Sequence, residues 1–253
     1  MITVSAIHIA PVKSLGLLHP NTVRVGTEGI VEDRRFYLID AAERLVTQRE
    51  VFSLVQVKAE YAAEPERLSL RFPDGSEVSD SVNLGENVST VFWGRTVTGQ
   101  VVTGPFNQAL SNFGGGGLRL VRSDAPGQCQ DEYPISIMSE ASVQMLAEQP
   151  GAQGPPDSRR FRPTFLLSGG SAHQEDEWLG SSVQIGEELR LRLVARDPRC
   201  AITTHDPTTG SPDMDTLRLI LAYRPADRAY FGVYGLVERP GAVSLGAAVR
   251  QLE

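Results

Sequence analysis

Short extended segments separated by turn residues, with few helices among them, constrain this chain more than any other feature. Ile2, Val4 and Ala6 alternate with smaller or polar residues, and residues 7–12 stay extended as far as Lys13, the period-two pattern of a half-buried strand. Further short strands are predicted at 22–25, 36–40, 44–47, 55–61, 88–92 and 96–102. Residues 68–72 and 77–79 flank Pro73-Asp74-Gly75, a hairpin signal. The second half adds strands at 118–122, 135–138, 164–167, 183–185, 189–195, 231–236 and 242–249, with a turn at Gly186-Glu187. Helical spacing is confined to 105–113, to a segment that Ser139 can cap and that runs to about residue 148, and to 215–223. None of these forms a regular strand–helix–strand series, so a doubly wound parallel sheet is disfavoured. The expectation is a mostly β chain with a few helices (α+β), built as barrels or sandwiches.

With 253 residues the chain can hold one large domain or two smaller ones. A division into 1–95 and 96–253 is expected, although composition barely shifts there. The 41% hydrophobic and 22% charged content excludes wholesale disorder. No apolar run approaches the roughly 18–20 residues of a membrane span. The start Met1-Ile-Thr-Val lacks the basic segment of a signal peptide. A net charge of −7 argues against general nucleic-acid binding. Cys129 and Cys200 are too few for a disulfide framework or a cysteine cluster. A reducing, cytoplasmic setting without membrane attachment is therefore expected.

Lys13 and Lys58 are the only lysines; every other basic residue is arginine, clustered at Arg34-Arg35, at Arg159-Arg160-Phe161-Arg162, and at Arg196 and Arg199. Guanidinium forks match phosphate geometry, so local clusters can hold a phosphorylated ligand in an acidic protein. Gly114-Gly-Gly-Gly117 lacks the Lys-Ser/Thr ending of a phosphate loop and reads as a connector. Asp124, Asp131 and Glu132 read as exposed loop acids, and the four histidines have no zinc spacing. Cys200 stands apart. It follows a strand within Asp197-Pro-Arg-Cys-Ala-Ile-Thr-Thr-His-Asp206. Flanking Arg196 and Arg199 would favour the thiolate, which is both a nucleophile and a soft metal ligand. A buried structural cysteine is the equal alternative.

Arg199-Cys200 with Thr203-Thr204 and Asp206-Pro207-x-x-Gly210 resembles the signature of the MOSC family (molybdenum cofactor sulfurase C-terminal domain). Matching blocks occur in order at Pro11-Val-Lys-Ser14, Asp33-Arg-Arg-Phe-Tyr-Leu38, Thr47-Gln-Arg49, Ile137-Met-Ser-Glu-Ala-Ser142, Arg160-Phe-Arg-Pro163, Gly169 and Glu175-Asp-Glu-Trp178. The likeness extends over nearly the whole chain and is greatest to amidoxime-reducing members. It implies an N-terminal β-barrel-like domain packed on a MOSC β-barrel domain, with a molybdenum–pterin cofactor in the cleft between them. Cys200 would ligate molybdenum. Lys13, Ser14 and one or both of Arg34 and Arg35 would grip the cofactor, with Arg162 and Ser139 on the opposite wall and Thr164, Arg199 and Thr203 beside them. His205, outside the family pattern, is either a proton donor near the metal or a surface turn residue.

The chain also departs from the family pattern. Asp197 stands where Cys-x-Arg-Cys is familiar, Thr164 replaces an asparagine, and His205 replaces an aliphatic residue. Two cysteines cannot form a four-cysteine ferredoxin-like segment, and neither such a segment nor a pyridoxal-phosphate domain is expected with it. The expectation is a molybdenum-dependent reductase of small N-hydroxylated substrates, supplied by a separate electron-transfer protein. The alternative is a sulfur carrier or cofactor-handling protein with a persulfide on Cys200.

Overall fold

The computed structural model describes residues 1–252. Its strands are β1 (Ile2–Ile7), β2 (Thr22–Gly26), β3 (Gly29–Ile30), β4 (Phe36–Ile39), β5 (Leu45–Val46), β6 (Lys58–Ala63), β7 (Glu66–Arg71), β8 (Glu77–Ser81), β9 (Asn83–Phe92), β10 (Arg95–Thr103), β11 (Arg119–Ser123), β12 (Ile135–Ser139), β13 (Phe165–Ser168), β14 (Ser182–Ile185), β15 (Leu189–Pro198), β16 (Tyr230–Arg239), β17 (Gly241–Ser244) and β18 (Ala248–Gln251). The helices are α1 (Phe106–Gly114), α2 (Glu140–Ala147), α3 (Gln174–Glu177) and α4 (Thr216–Tyr223). The chain is mostly β with few helices, as its alternation implies.

A closed barrel in the order β1-β13-β12-β16-β15-β14-β18 forms the second half. Its one parallel pairing is β12 with β13. Closure leaves the barrel itself no free edge. Inward residues such as Val4, Ile137, Leu167, Val183, Leu191 and Val233 fill the barrel. The first half holds a sheet of order β5-β4-β11-β10-β9 and a second of order β6-β7-β8. Phe36, Leu38, Leu68, Leu70, Phe106 and Leu120 join both sheets and α1 in one core.

Chain order and spatial division do not coincide. The first strand belongs to the second-half barrel, and β2 pairs with β17 from the far end of the sequence. The division expected between residues 95 and 96 falls inside the β9–β10 hairpin, whose pairing runs from Phe92↔Arg95 to Asn83↔Thr103. One sheet therefore spans that point. The continuous hydrogen-bonded ladder accounts for the absence of any compositional shift there.

His8 follows β1 and ties it to the segment entering β13. Its Nδ1 lies 2.8 Å from the Pro163 carbonyl, its ring sits edge-on to His19, and it is buried. Burial pushes its imidazole down to about 4 against the backbone hydrogen bond to Pro163. The folded-state value therefore lies below the unfolded one. The contribution of neutral His8 to stability is complete above pH 6.5 and is lost as pH falls through that value toward 4. His8→Asn keeps a donor for the Pro163 carbonyl without the titration. Between pH 7 and 5.5 the natural chain is expected to lose about 1 kcal/mol more unfolding free energy than this variant, measured by denaturant titration. Equal pH slopes would show that the imidazole is not held neutral.

Candidate functional site

Between the halves lies a cavity of about 500 Å³, lined by segments from both. From the first half comes the loop after β1. The Lys13 amide donates to the Phe36 carbonyl, which pins the loop to β4. The Lys13 side chain is buried and donates to the Cys129 carbonyl at 2.9 Å and to Asp131 Oδ1 at 2.8 Å. Burial pulls this ammonium below its usual range, and Asp131 opposes the fall. Ser14 follows with φ of +74°. Arg34, also at positive φ, is fixed through its amide to the Ala10 carbonyl and pairs with Asp33.

The opposite wall comes from two short 3₁₀ turns. The first, Ser158–Phe161, ends at Arg162 in the left-handed region, and Arg162 Nη2 donates to the Leu15 carbonyl at 2.8 Å. No carboxylate pairs with it among the described ion pairs. Burial and the neighbouring Arg34 together push its guanidinium down to about 10. The second turn, Ala201–Thr204, has Cys200 as its N-cap residue. The Cys200 carbonyl accepts from the Thr203 amide at 3.1 Å and from its hydroxyl at 3.0 Å. Arg160 secures this turn from outside the sequence motif. It forks onto Asp213 at 3.0 and 2.9 Å and donates to the Thr203 and His205 carbonyls. Beyond it, Asp206 Oδ1 caps the Thr208 and Thr209 amides. Gly210 closes this turn at φ +80°, where an added Cβ would lie 2.2 Å from the Phe52 carbonyl, so only glycine allows the loop to dock on the first half.

Eight cationic side chains line the cavity against three carboxylates, in a protein of net charge −7. Cys200 is its only sulfur. The cation excess, an unpaired Arg162 and a single soft donor suit an anionic group that also takes a thiolate. No cluster of three or more His, Cys, Asp or Glu side chains able to hold a bare metal ion exists among the described residues.

Lys13, Ser14, Arg34, Arg162, Thr164, Arg199, Cys200 and Thr203 all line this cavity. Three expected residues do not. Arg35 turns to the other side of the chain from Arg34 and donates to the Ser123 carbonyl and hydroxyl at 2.6 and 3.1 Å. Ser139 caps α2, its hydroxyl accepting from the Ser142 amide and lying 2.6 Å from the Ser142 hydroxyl. His205 is extended, bridges to Pro212, and sets its ring edge-on to Phe52 at 4.4 Å, beside a smaller depression. The expected positive field around Cys200 also differs in origin. Arg199 is spent on Asp197 and on the Phe161 and Phe231 carbonyls, and Arg196 lies 3.9 Å from Asp176. Cys129 is buried with Tyr37 and Phe92, burial raises its thiol to about 11, and Lys13, Arg35 and Arg95 are near it.

Sequence reasoning misses Tyr234; it names Asp131 only as an exposed loop acid and Asp197 only as a departure from the family pattern, and all three line the cavity. Burial raises Asp197 to about 7 against the pull of Arg199, and burial with the facing Asp197 carboxylate raises the Tyr234 hydroxyl. Lys13 and Arg34 beside it hold the Asp131 carboxyl below its usual range. Their signal in the sequence is only that of isolated polar residues near turns.

The chain belongs to the MOSC family, whose domain models match it in both halves. The family model for the MOSC domain matches residues 124–250, and the model for the MOSC N-terminal beta barrel domain matches residues 1–113. Among relatives, the mouse mitochondrial amidoxime-reducing component 1 is 33% identical over 129 residues, which is 47% of this chain and 36% of the relative. The rat mitochondrial amidoxime reducing component 2 is 26% identical over 294 residues, covering 99% of this chain and 83% of the relative. A molybdenum cofactor sulfurase from Caenorhabditis briggsae is 26% identical over 95% of this chain and 34% of its own length. Matches such as the first and third thus span little more than a third of the relative. The crystal structure of the YuaD protein from Bacillus subtilis aligns over 98% of this chain and 94% of its own, at a TM-score of 0.45 and 14% identity. No described helix is long and apolar enough to cross a membrane.

Proposed function

We propose that this chain is a molybdenum-cofactor-dependent reductase of small N-hydroxylated compounds, supplied with electrons by a separate donor. One observation carries the reading: the only sulfur in the shared cavity, Cys200, sits with Lys13, Arg34 and Arg162 from distant segments in a strongly cationic lining. Relatives named for amidoxime reduction and for molybdenum cofactor sulfuration support the cofactor class. Lys13, Ser14, Arg34 and Arg162 would hold the anionic part of the cofactor, and Cys200 would ligate the metal. When bound, such a group supplies a two-electron redox centre. The protein's share is to orient it, through the Arg160-clamped turn, and to manage protons. Cleaving an N–O bond to an amine and water consumes protons, and the Asp197 carboxyl, which burial raises well above its usual range against the pull of Arg199, faces the same cavity as a candidate proton donor.

The test uses protein made in a cofactor-competent host, reduced with a chemical electron donor and given N-phenylhydroxylamine. Aniline is expected from molybdenum-loaded protein and none from the metal-free chain. Loaded protein that turns over no hydroxylamine or amidoxime would overturn the reductase reading. A Cys200 persulfide in metal-free protein would favour a sulfur carrier.

A further inference from the structure

At the cavity mouth stands a pair of exposed residues that the cofactor reading does not use. Trp93 occupies the first position of the two-residue turn joining β9 to β10 and is 48% exposed. Its φ is +46° and that of Gly94 is +91°. Such turns favour Asn or Asp before Gly, because a large side chain is strained at positive φ. Trp93 is held in place from two sides. Its indole Nε1 donates to Asp131 Oδ1 at 3.2 Å, and the Arg49 guanidinium lies 4.4 Å from its ring centroid. Arg49 is exposed and has no carboxylate partner among the described ion pairs, and the same holds for Arg228, which lines the cavity from the second half. Asp131 is neutralised by Lys13, so Glu132 is the only uncompensated acid at the mouth and the rim keeps a positive excess. A strained aromatic kept at an opening marks a functional surface, and a guanidinium stacked on indole leaves its in-plane N–H groups free to fork onto a carboxylate.

We propose that Trp93 and Arg49, with Arg228, form a substrate subsite at the cavity mouth that selects planar aromatic carboxylates. This rests on the reductase reading for its chemistry, making N-hydroxylated aromatic acids the favoured substrate class, but the subsite can be read without the cofactor. Its aromatic face stacks on the Trp93–Arg49 platform, and its carboxylate pairs with the arginines. The N–O group then points inward.

The chain has two tryptophans, Trp93 and the buried Trp178, so indole Nε1–H resonances of the metal-free protein report the subsite and the fold separately. Trp93→Phe assigns the two signals. Titration with benzoate is expected to shift the Trp93 signal saturably while Trp178 stays fixed. Benzyl alcohol, of similar shape and no charge, is expected to bind at least about tenfold more weakly. Arg49→Gln should remove that discrimination, and Arg228→Gln should reduce it; an unchanged Trp178 signal shows that each variant is folded. No Trp93 shift, equal affinity for both probes, or full discrimination in both arginine variants would overturn the subsite. In loaded enzyme, Arg49→Gln should raise KM for 4-(hydroxyamino)benzoate with kcat kept, and raise it clearly less for N-phenylhydroxylamine, which stacks on the platform but has no carboxylate to pair. Molybdenum loading is unaffected by any of these outcomes, so failure of the subsite and failure of the reductase reading remain distinct.

Discussion

In Cys200→Ser, molybdenum content and N-reductase turnover are expected to fall together by at least about 100-fold, while the thermal midpoint stays within roughly 2 °C of the natural chain. Cys200 is only partly buried, and its backbone carbonyl, not its side chain, anchors the 3₁₀ turn through Thr203. A serine hydroxyl is nearly isosteric and disturbs neither contact. It is a hard, weakly acidic donor, so it ligates molybdenum poorly and carries no persulfide. Cys129→Ser should behave in the opposite way. Its thiol lies in an apolar cluster with Tyr37, Phe92 and Val121, where burying a hydroxyl costs about 1–3 kcal/mol, yet molybdenum content should persist. Thermal melts and metal analysis of the two variants separate anchoring from packing. Full turnover in Cys200→Ser would refute the ligand assignment.

Arg162→Gln should change stability and cofactor retention in opposite directions. The guanidinium sits at a left-handed cap, partly buried, with Arg34 beside it and no carboxylate partner among the described ion pairs. At pH 7 it is charged in both the folded and unfolded chains, so the whole penalty of its depressed value applies: up to about 3 kcal/mol. Losing the hydrogen bond to the Leu15 carbonyl takes back about 1 kcal/mol. The metal-free variant is therefore expected to be about 1–2 kcal/mol more stable, by denaturant titration at pH 7. An anionic cofactor relieves the same unpaired charge, so its retention should fall by about 10–100-fold. A variant less stable than the natural chain, with cofactor retention unaltered, would mean that Arg162 is a structural cation.

The elements legible in the sequence are those whose signal is local. The Pro-led start of α1, the Ser139 cap of α2, the helical spacing of α4 and the Pro73-Asp74-Gly75 hairpin all appear where their residues imply. Long-range pairing was not legible. Nothing local assigns β1 to the second-half barrel or brings β2 beside β17, because strand partnership is settled by packing between distant segments. The same split runs through the site. Lys13 and Cys200 lie in recognisable blocks, and both line the cavity. Arg35 and Ser139 lie in such blocks too, but one packs behind β4 against Ser123 and the other is consumed as a helix cap. Asp197 gains its character from burial and Asp131 from the cations folded against it, which no spacing rule reports.

The most direct measurement of the central claim is the molybdenum and pterin content of the natural chain purified from a cofactor-competent host, alongside Cys200→Ser and Arg162→Gln. The account predicts close to one molybdenum and one pterin per natural chain, with both lowered in the two variants. Natural protein free of molybdenum and pterin, from a host whose other molybdoenzymes are loaded, would contradict it.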